Sequence, residues 1–565
     1  MSIFDYEQDE IFGTVDSVDT SSVVISVEKD ESIRSLQVNH LVAIQSSNIG
    51  QHLIGLVAKI VRKGLFEDED NNTENSSNLV KVYLIGTHYD KYGERENIFL
   101  RTLSTVPTIN AECYLINGER LKQFMKAVGT VPKTEGEVSL EIGTYSIDDG
   151  ATAWLNGNKL FQRHAVIVGS TGSGKSWCVA KILEQLSALN SANAILFDIH
   201  GEYEPLVGDN FVHYKIAGPT DIKKDDILFL PYWLLTYEEM ISLMLDRSDN
   251  NAPNQAMMFS KEVAEGKKYF LSSIKREDML DEITLDSPVP YNLNDLIKKL
   301  SDIDTEMVPG AKGEKQGLYF GKLTRFIQRL QSKLSDKRLN FLFSQEPALL
   351  DYGYMPWLCG NLMQPGKDKK GGIKIIDFSE VPSDILPLIV SLLARIIFSV
   401  QQWADADKRF PIALLCDEAH LYIPAKSDQN IGDSSLATFE RISKEGRKYG
   451  IGLVVISQRP SEVNRTVLSQ SNNFIAMRLT NIDDQSVVKR LLPDNLGDYA
   501  EMLPILDVGE ALVVGDASLL PSRIKIREPI LKPRSATVAF WDEWSKENNS
   551  VDIPTSIENL RKQRK

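Results

Sequence analysis

The stretch HAVIVGSTGSGKSW, from His164 to Trp177, constrains this chain more than any other, because it holds the full pattern GxxxxGK[ST] in the context that pattern needs. Ala165 to Val168 reads as a buried strand, Gly169 to Gly174 as a glycine-rich turn, and Lys175 to Leu189 carries helical periodicity. At average residue frequencies a chain of this length shows the pattern on the order of 2 times in 100, and the flanking strand and helix make coincidence rarer still. Small residues let the backbone wrap closely round a phosphate. The N–H groups of Gly169, Thr171, Gly172, Ser173 and Gly174 would then face inward as an anion nest, backed by the positive end of the helix. Lys175 would reach the β- and γ-phosphates of ATP, Ser176 would ligate Mg²⁺, and Trp177 completes the nucleotide-binding set.

The 565 residues allow two to four domains, and 42% hydrophobic with 25% charged residues is ordinary globular composition. No leader with a cleavage site is evident and no apolar run approaches the ~20 residues of a membrane span, so a cytoplasmic protein without membrane contact is expected. Cys113, Cys178, Cys359 and Cys416 are scattered and expected to be reduced and structural. With the seven histidines equally dispersed, the spacing predicts no structural metal. A net charge of −15 excludes a protein that coats itself in nucleic acid, and confines any DNA contact to a local basic channel.

Residues 1–135 hold short β-branched runs such as IFGTVDSV, VVISV, HLIGLVAKIV and VKVYLIGTHY between polar turns, the signature of a small antiparallel barrel. The acidic stretch Phe66–Asn78 reads as a solvated loop between two of its strands. Strand and helix then alternate over 136–235 and 346–530, which predicts an α/β core with a parallel sheet. Between them, 236–345 reads as a helical insertion, and 531–565 as a polar C-terminal arm. Within the insertion Leu323, Phe326, Ile327, Leu330 and Leu334 share one helix face, while Lys322, Arg325, Arg329 and Lys333 line another. That stripe is read first as a solvated face, with a nucleic-acid or partner contact as the alternative.

PIALLCDEAH, from Pro411 to His420, is an apolar strand ending in two carboxylates. Asp417 would join the Mg²⁺ shell and Glu418 would polarise the attacking water, unless the pair merely terminates a core strand at the surface. GIGLVVISQRP supplies a second buried strand whose end carries Gln458, a γ-phosphate sensor or a polar strand cap. KEGRKYG places Arg447 just before that strand. Phosphoryl transfer often needs an arginine from a neighbouring subunit; Arg447 is the first choice and Arg441 the second, against an ordinary surface ion pair. DIHGEY, from Asp198 to Tyr203, ends another core strand, with no role assignable from its chemistry.

GSTGSGKSW, FDIHGEY, LLCDEAHLYIP, EGRKYGIGLVVISQRPSEV and VVGDASLLPSRIKI, in that order behind a small barrel, resemble the HerA family of hexameric ATPases in the HerA/FtsK group of DNA-pumping motors. The resemblance covers nearly the whole chain. It implies a RecA-like P-loop NTPase core, a HAS-barrel-like docking domain, and a homo-hexamer with ATP at its subunit interfaces and double-stranded DNA in its pore. By motif matching it makes Lys175 and Ser176 the phosphate and Mg²⁺ residues, Glu418 the catalytic acid and Arg447 the trans-acting arginine. It also implies a separate effector, a nuclease or a sirtuin-like NADase, in DNA end processing or antiphage defence.

A ring of six chains, each at −15, would repel DNA everywhere but at a locally basic pore. Lys367, Lys369 and Lys370 in GKDKKGG are candidates for its lining, although a solvated hairpin turn explains them as well. Two functions follow: an ATP-driven DNA translocase or helicase working with that effector, or a nucleotide-controlled ring scaffold that assembles and activates it without processive movement.

Overall fold

A computed structural model describes residues 3–4, 6, 10–34, 36–62, 78–103, 105–129, 139–310, 313–426, 430–492, 494–534, 539–546 and 552–562. The acidic stretch Phe66–Asn78, all but its last residue, and the barrel boundary near residue 135 lie outside the described residues. The chain packs as two compact units. One comprises Met1–Gln185, Ile456–Ser461 and Leu468–Lys532, the other Leu186–Val455, Glu462–Val467 and Pro533–Lys565.

The first unit begins with strands β1 (Gly13–Val18), β2 (Ser22–Val27), β3 (Leu41–Gln45), β4 (Gln51–Arg62), β5 (Asn78–Tyr92), β6 (Arg95–Leu100) and β7 (Glu112–Ile116). They run in the order β2-β1-β7-β3-β4-β5, and β2 also pairs with β5, which closes six strands into a barrel with β6 appended to β5. The sequence alternation produces this: Val23, Ile25 and Val27 point inward with Val15, Val42, Ile44, Val57, Val80 and Val82 to form a dry core. Closure removes the edges that a sheet this β-branched would otherwise expose. Just past β6, Arg101 donates to the carbonyls of Gly515, Ser518 (2.6 Å) and Leu519 (2.9 Å), seating the barrel against the late strands of the same unit.

The remaining strands are β8 (Ser139–Tyr145), β9 (Asp148–Asn156), β10 (Ala165–Val168), β11 (Ala194–Asp198), β12 (Phe211–Ile216), β13 (Ile227–Leu228), β14 (Met307–Gly310), β15 (Gly313–Gln316) and β16 (Ile373–Asp377). After them come β17 (Ile412–Cys416), β18 (Ile451–Ser457), β19 (Asn473–Met477), β20 (Glu510–Gly515) and β21 (Ser518–Ile526). In the first unit β10 pairs parallel with β19, and the sheet then continues antiparallel through β20, β21, β8 and β9. The expected parallel sheet is thus mixed here. Its antiparallel side is extended by the β8–β9 hairpin, which the sequence reading did not separate from the alternating core.

In the second unit the order β13-β12-β16-β11-β17-β18 is parallel throughout. β11, β17 and β18 are buried at every position, as strands covered on both faces must be. Helix Leu386–Trp403 is 18 residues long and apolar enough by length and composition to cross a membrane, yet 67% of it is buried inside the unit. Its Arg395 is bound by the buried Glu239, which also closes a capping box with Thr236 at the start of helix Tyr237–Met244. The same glutamate therefore starts an insertion helix and ties it to the core.

Residues 236–345 carry the helices Tyr237–Met244, Ala252–Ser273, Leu293–Asp304 and Thr324–Ser335 and the hairpin β14–β15. Leu323, Phe326, Ile327 and Leu330 are buried; Arg325 is exposed and Arg329 pairs with Asp246. The arm contains two short helices, Phe540–Trp544 and Ile553–Lys562. Lys367 and Lys370 face each other across a tight turn whose Asp368 and Lys369 are left-handed.

Candidate nucleotide site

In the first unit the chain leaves β10 at Val168, turns through Gly169–Gly174 and enters helix α1 (Lys175–Ser187). The loop is fastened at several points. Ser170 donates both its N–H (2.8 Å) and its hydroxyl (2.7 Å) to the Arg478 carbonyl, and Ser173 N–H donates to Ser170 (3.1 Å). Gly509 N–H donates to the Ser173 carbonyl (2.9 Å), tying the loop to the turn before β20. Gly174 has φ +105°, a conformation strained for residues with a Cβ, and an added Cβ would stand 3.0 Å from Met477 Cε and 3.3 Å from Gly509 Cα. The Lys175 ammonium donates to the Ser170 carbonyl (3.3 Å), so its charge is held at the loop it would serve. Thr171 Oγ1 donates to Gln458 Oε1 at 2.6 Å, which brings the sensor candidate to the phosphate loop. Trp177, partly exposed, lies under the Lys532 ammonium, 5.7 Å from its ring centre.

In the second unit three carboxylates gather at the carboxyl ends of β11 and β17, where parallel sheets place their chemistry. Asp417 is buried, its Oδ1 accepts the Glu418 N–H (2.9 Å), and its carbonyl accepts the Tyr422 hydroxyl (2.8 Å). Burial, then Glu418, Asp198 and Glu202, push the Asp417 carboxyl well above the usual range. Asp198 Oδ1 and Oδ2 accept the N–H groups of Glu202 (3.1 Å) and Tyr203 (2.9 Å), which folds the DIHGEY turn back on its strand. Burial is the main cause raising Asp198 to about 6, with Asp377, its register partner on β16, adding to it.

Glu418 is buried in a left-handed conformation, φ 44° and ψ 44°, which is strained for a residue with a side chain. That turn redirects the chain between Asp417 and His420, whose Nδ1 lies 3.3 Å from Glu418 Oε2. The sequence reading left Asp198 without a role and did not single out His420. The signal for the first was an acid at the end of a strand beside the DE strand; for the second, the spacing E-x-H.

Arg447 stands apart from these carboxylates. β17 and β18 are parallel with Ile412 opposite Ile451, so Arg447, ahead of β18, sits at the opposite sheet end from Asp417 and Glu418. A five-residue strand spans about 17 Å. Arg447 is exposed and has no ion-pair partner among the described residues. Arg441, by contrast, is engaged with Glu445 (3.7 Å), Gln402 (3.1 Å) and the face of Phe398.

A glycine-rich turn between a buried strand and a helix, with a buried lysine at the helix start, and buried acids at the end of a parallel strand define the class: a P-loop ATPase with a RecA-like core. The family described as "Helicase HerA, central domain" matches residues 140–397. A probable helicase of Methanocaldococcus jannaschii is 24% identical over 86% of this chain and 89% of its own. The DNA double-strand break repair helicase HerA of Pyrococcus furiosus is 26% identical over 74% of this chain and 77% of its own. The protein of the same description from Sulfurisphaera tokodaii is 26% identical over 70% and 71%. The chain is thus similar to HerA helicases through its central region and over most of its length. Among solved structures, VirB4 of Thermoanaerobacter pseudethanolicus aligns over 70% of this chain and 97% of its own at 17% identity and TM-score 0.43.

Proposed function

We propose that this chain is an ATP-driven motor acting on double-stranded DNA as a homo-hexamer, in concert with a separate nuclease or NADase effector. Lys175 binds the β- and γ-phosphates, Ser176 and Asp417 serve Mg²⁺, and Trp177 lies beside the nucleotide. The acid–base chemistry falls to Glu418, which takes a proton from the attacking water, with His420 orienting its carboxylate. Mg²⁺, when bound, neutralises charge on the phosphates and lowers the penalty on the buried acids. Gln458 reads the nucleotide state through its contact with Thr171.

The observation that carries the ring is the placement of Arg447. Exposed and at the far sheet end from the carboxylates, it is suited to serve the site of a neighbouring copy. DNA as the substrate rests on the names of relatives that are helicases of double-strand break repair.

The test is ATP hydrolysis with added linear duplex at low and moderate salt. Stimulation of several-fold, falling steeply with salt and indifferent to sequence, is expected of a pore that holds phosphates. No stimulation at either salt, with the effector present, would favour the ring scaffold.

A further inference from the structure

We propose that the barrel holds a zinc-type divalent cation between His52, His88 and Asp90. The three come from the antiparallel pair β4–β5, where His52 stands directly opposite His88 and Asp90 follows two residues later on the same face. Their ligand atoms all lie within 4.8 Å of one another. Distance along the chain hides the cluster from the sequence, and only the strand register assembles it.

Two features point to a ligand. His88 has 0% of its surface exposed, and neither ring nitrogen has a hydrogen-bond partner among the described residues. Its ring is walled by Phe4, 5.0 Å between centres, and Phe124, 5.8 Å, neither of which can satisfy a nitrogen. An unpartnered imidazole this deep is costly, whereas a cation accepting its lone pair satisfies it. The second feature is the aim of His52: Nδ1 lies 2.5 Å from the Tyr6 hydroxyl, and Nε2 lies 3.2 Å from Asp90 Oδ1. Both contacts also suit a metal-bound state: with a cation on Nε2, Nδ1–H would donate to the Tyr6 hydroxyl, the outer-sphere arrangement of metal-bound histidines.

Metal bonds of about 2.1 Å set ligand atoms about 3.4 Å apart in a tetrahedral site, close to the His52–Asp90 separation, so a turn of the His88 ring completes it. Two imidazoles and one carboxylate suit Zn²⁺ or Co²⁺ rather than Ca²⁺ or Mg²⁺, which take oxygen ligands. The fourth position would hold water. Bound there, the cation would staple the N-terminal residues Phe4 and Tyr6 onto the β4–β5 ladder.

The test uses the full chain, stripped with chelator and titrated with Co²⁺ alone while excess Mg²⁺ occupies the nucleotide site. Wild-type protein should develop visible ligand-field bands that saturate at about one Co²⁺ per chain and are displaced by Zn²⁺. Asp90→Asn, isosteric and partly exposed, should weaken Co²⁺ binding at least tenfold, and His88→Gln should abolish the bands, with ATP hydrolysis unchanged in both. If His88→Gln fails to fold, Asp90→Asn decides. Folded, ATP-hydrolysing wild-type protein without bands, or bands of equal affinity in the variants, would overturn the site.

Discussion

Replacing Asp198 by asparagine should stabilise the nucleotide-free protein, and by more at pH 8 than at pH 5. Burial and Asp377 raise this carboxyl from 3.8 to about 6, and each tenfold change in proton affinity corresponds to about 1.36 kcal/mol. Between those values the folded state binds more protons than the unfolded state, so stability falls as pH rises, and the loss is complete above the folded pKa. Linkage gives a cost of about 1.5 kcal/mol at pH 5 and about 3 kcal/mol at pH 8. Asparagine carries no charge but keeps one acceptor for the Glu202 and Tyr203 N–H groups, forfeiting about 1 kcal/mol. The net gain is roughly 0.5 kcal/mol at pH 5 and about 2 kcal/mol at pH 8. Thermal unfolding of both proteins without nucleotide or Mg²⁺ reads the difference as a gap of a few degrees that opens with pH. A gap that is constant or narrows from pH 5 to pH 8 would refute the reasoning that this acid is held ionised against its surroundings.

Lys175→Ala should weaken ATP binding, whereas Glu418→Gln should retain binding and lose about 10²–10⁴-fold in hydrolysis; equilibrium nucleotide binding beside steady-state turnover separates them. Gly174→Ala should fold yet bind ATP weakly, since a Cβ at φ +105° costs about 1–3 kcal/mol and presses on Met477; normal ATP affinity would contradict the fixed loop geometry. Arg447→Ala protein should be nearly inactive alone and partly rescued by mixing with Lys175→Ala chains, because mixed interfaces pair an intact arginine with an intact phosphate loop. A wild-type monomer in light scattering with ATP would contradict the shared site.

The phosphate loop and the buried strands were legible because each is set by local rules: glycine where φ is positive, and continuous apolar runs such as IALLC and IGLVVIS where both sheet faces are covered. The barrel was legible from its alternation. Helix Gly118–Gly129 and strand β6 were not, since the first follows a strand without a strong break and the second reads RENIFL, polar for half its length. Long-range geometry was equally hidden. The coupling of Asp198 to Asp377 and the meeting of His52 with His88 depend on strand register, which no single segment encodes.

If ATP hydrolysis at Glu418 moves this protein along duplex DNA, as proposed, displacement of a triplex-forming third strand tests that movement most directly. With effector present and the duplex linear, the wild-type chain should release the third strand only when ATP is supplied, and Glu418→Gln should leave it bound. Hydrolysis stimulated by the duplex with the third strand still in place would contradict movement and leave a ring that switches without travelling.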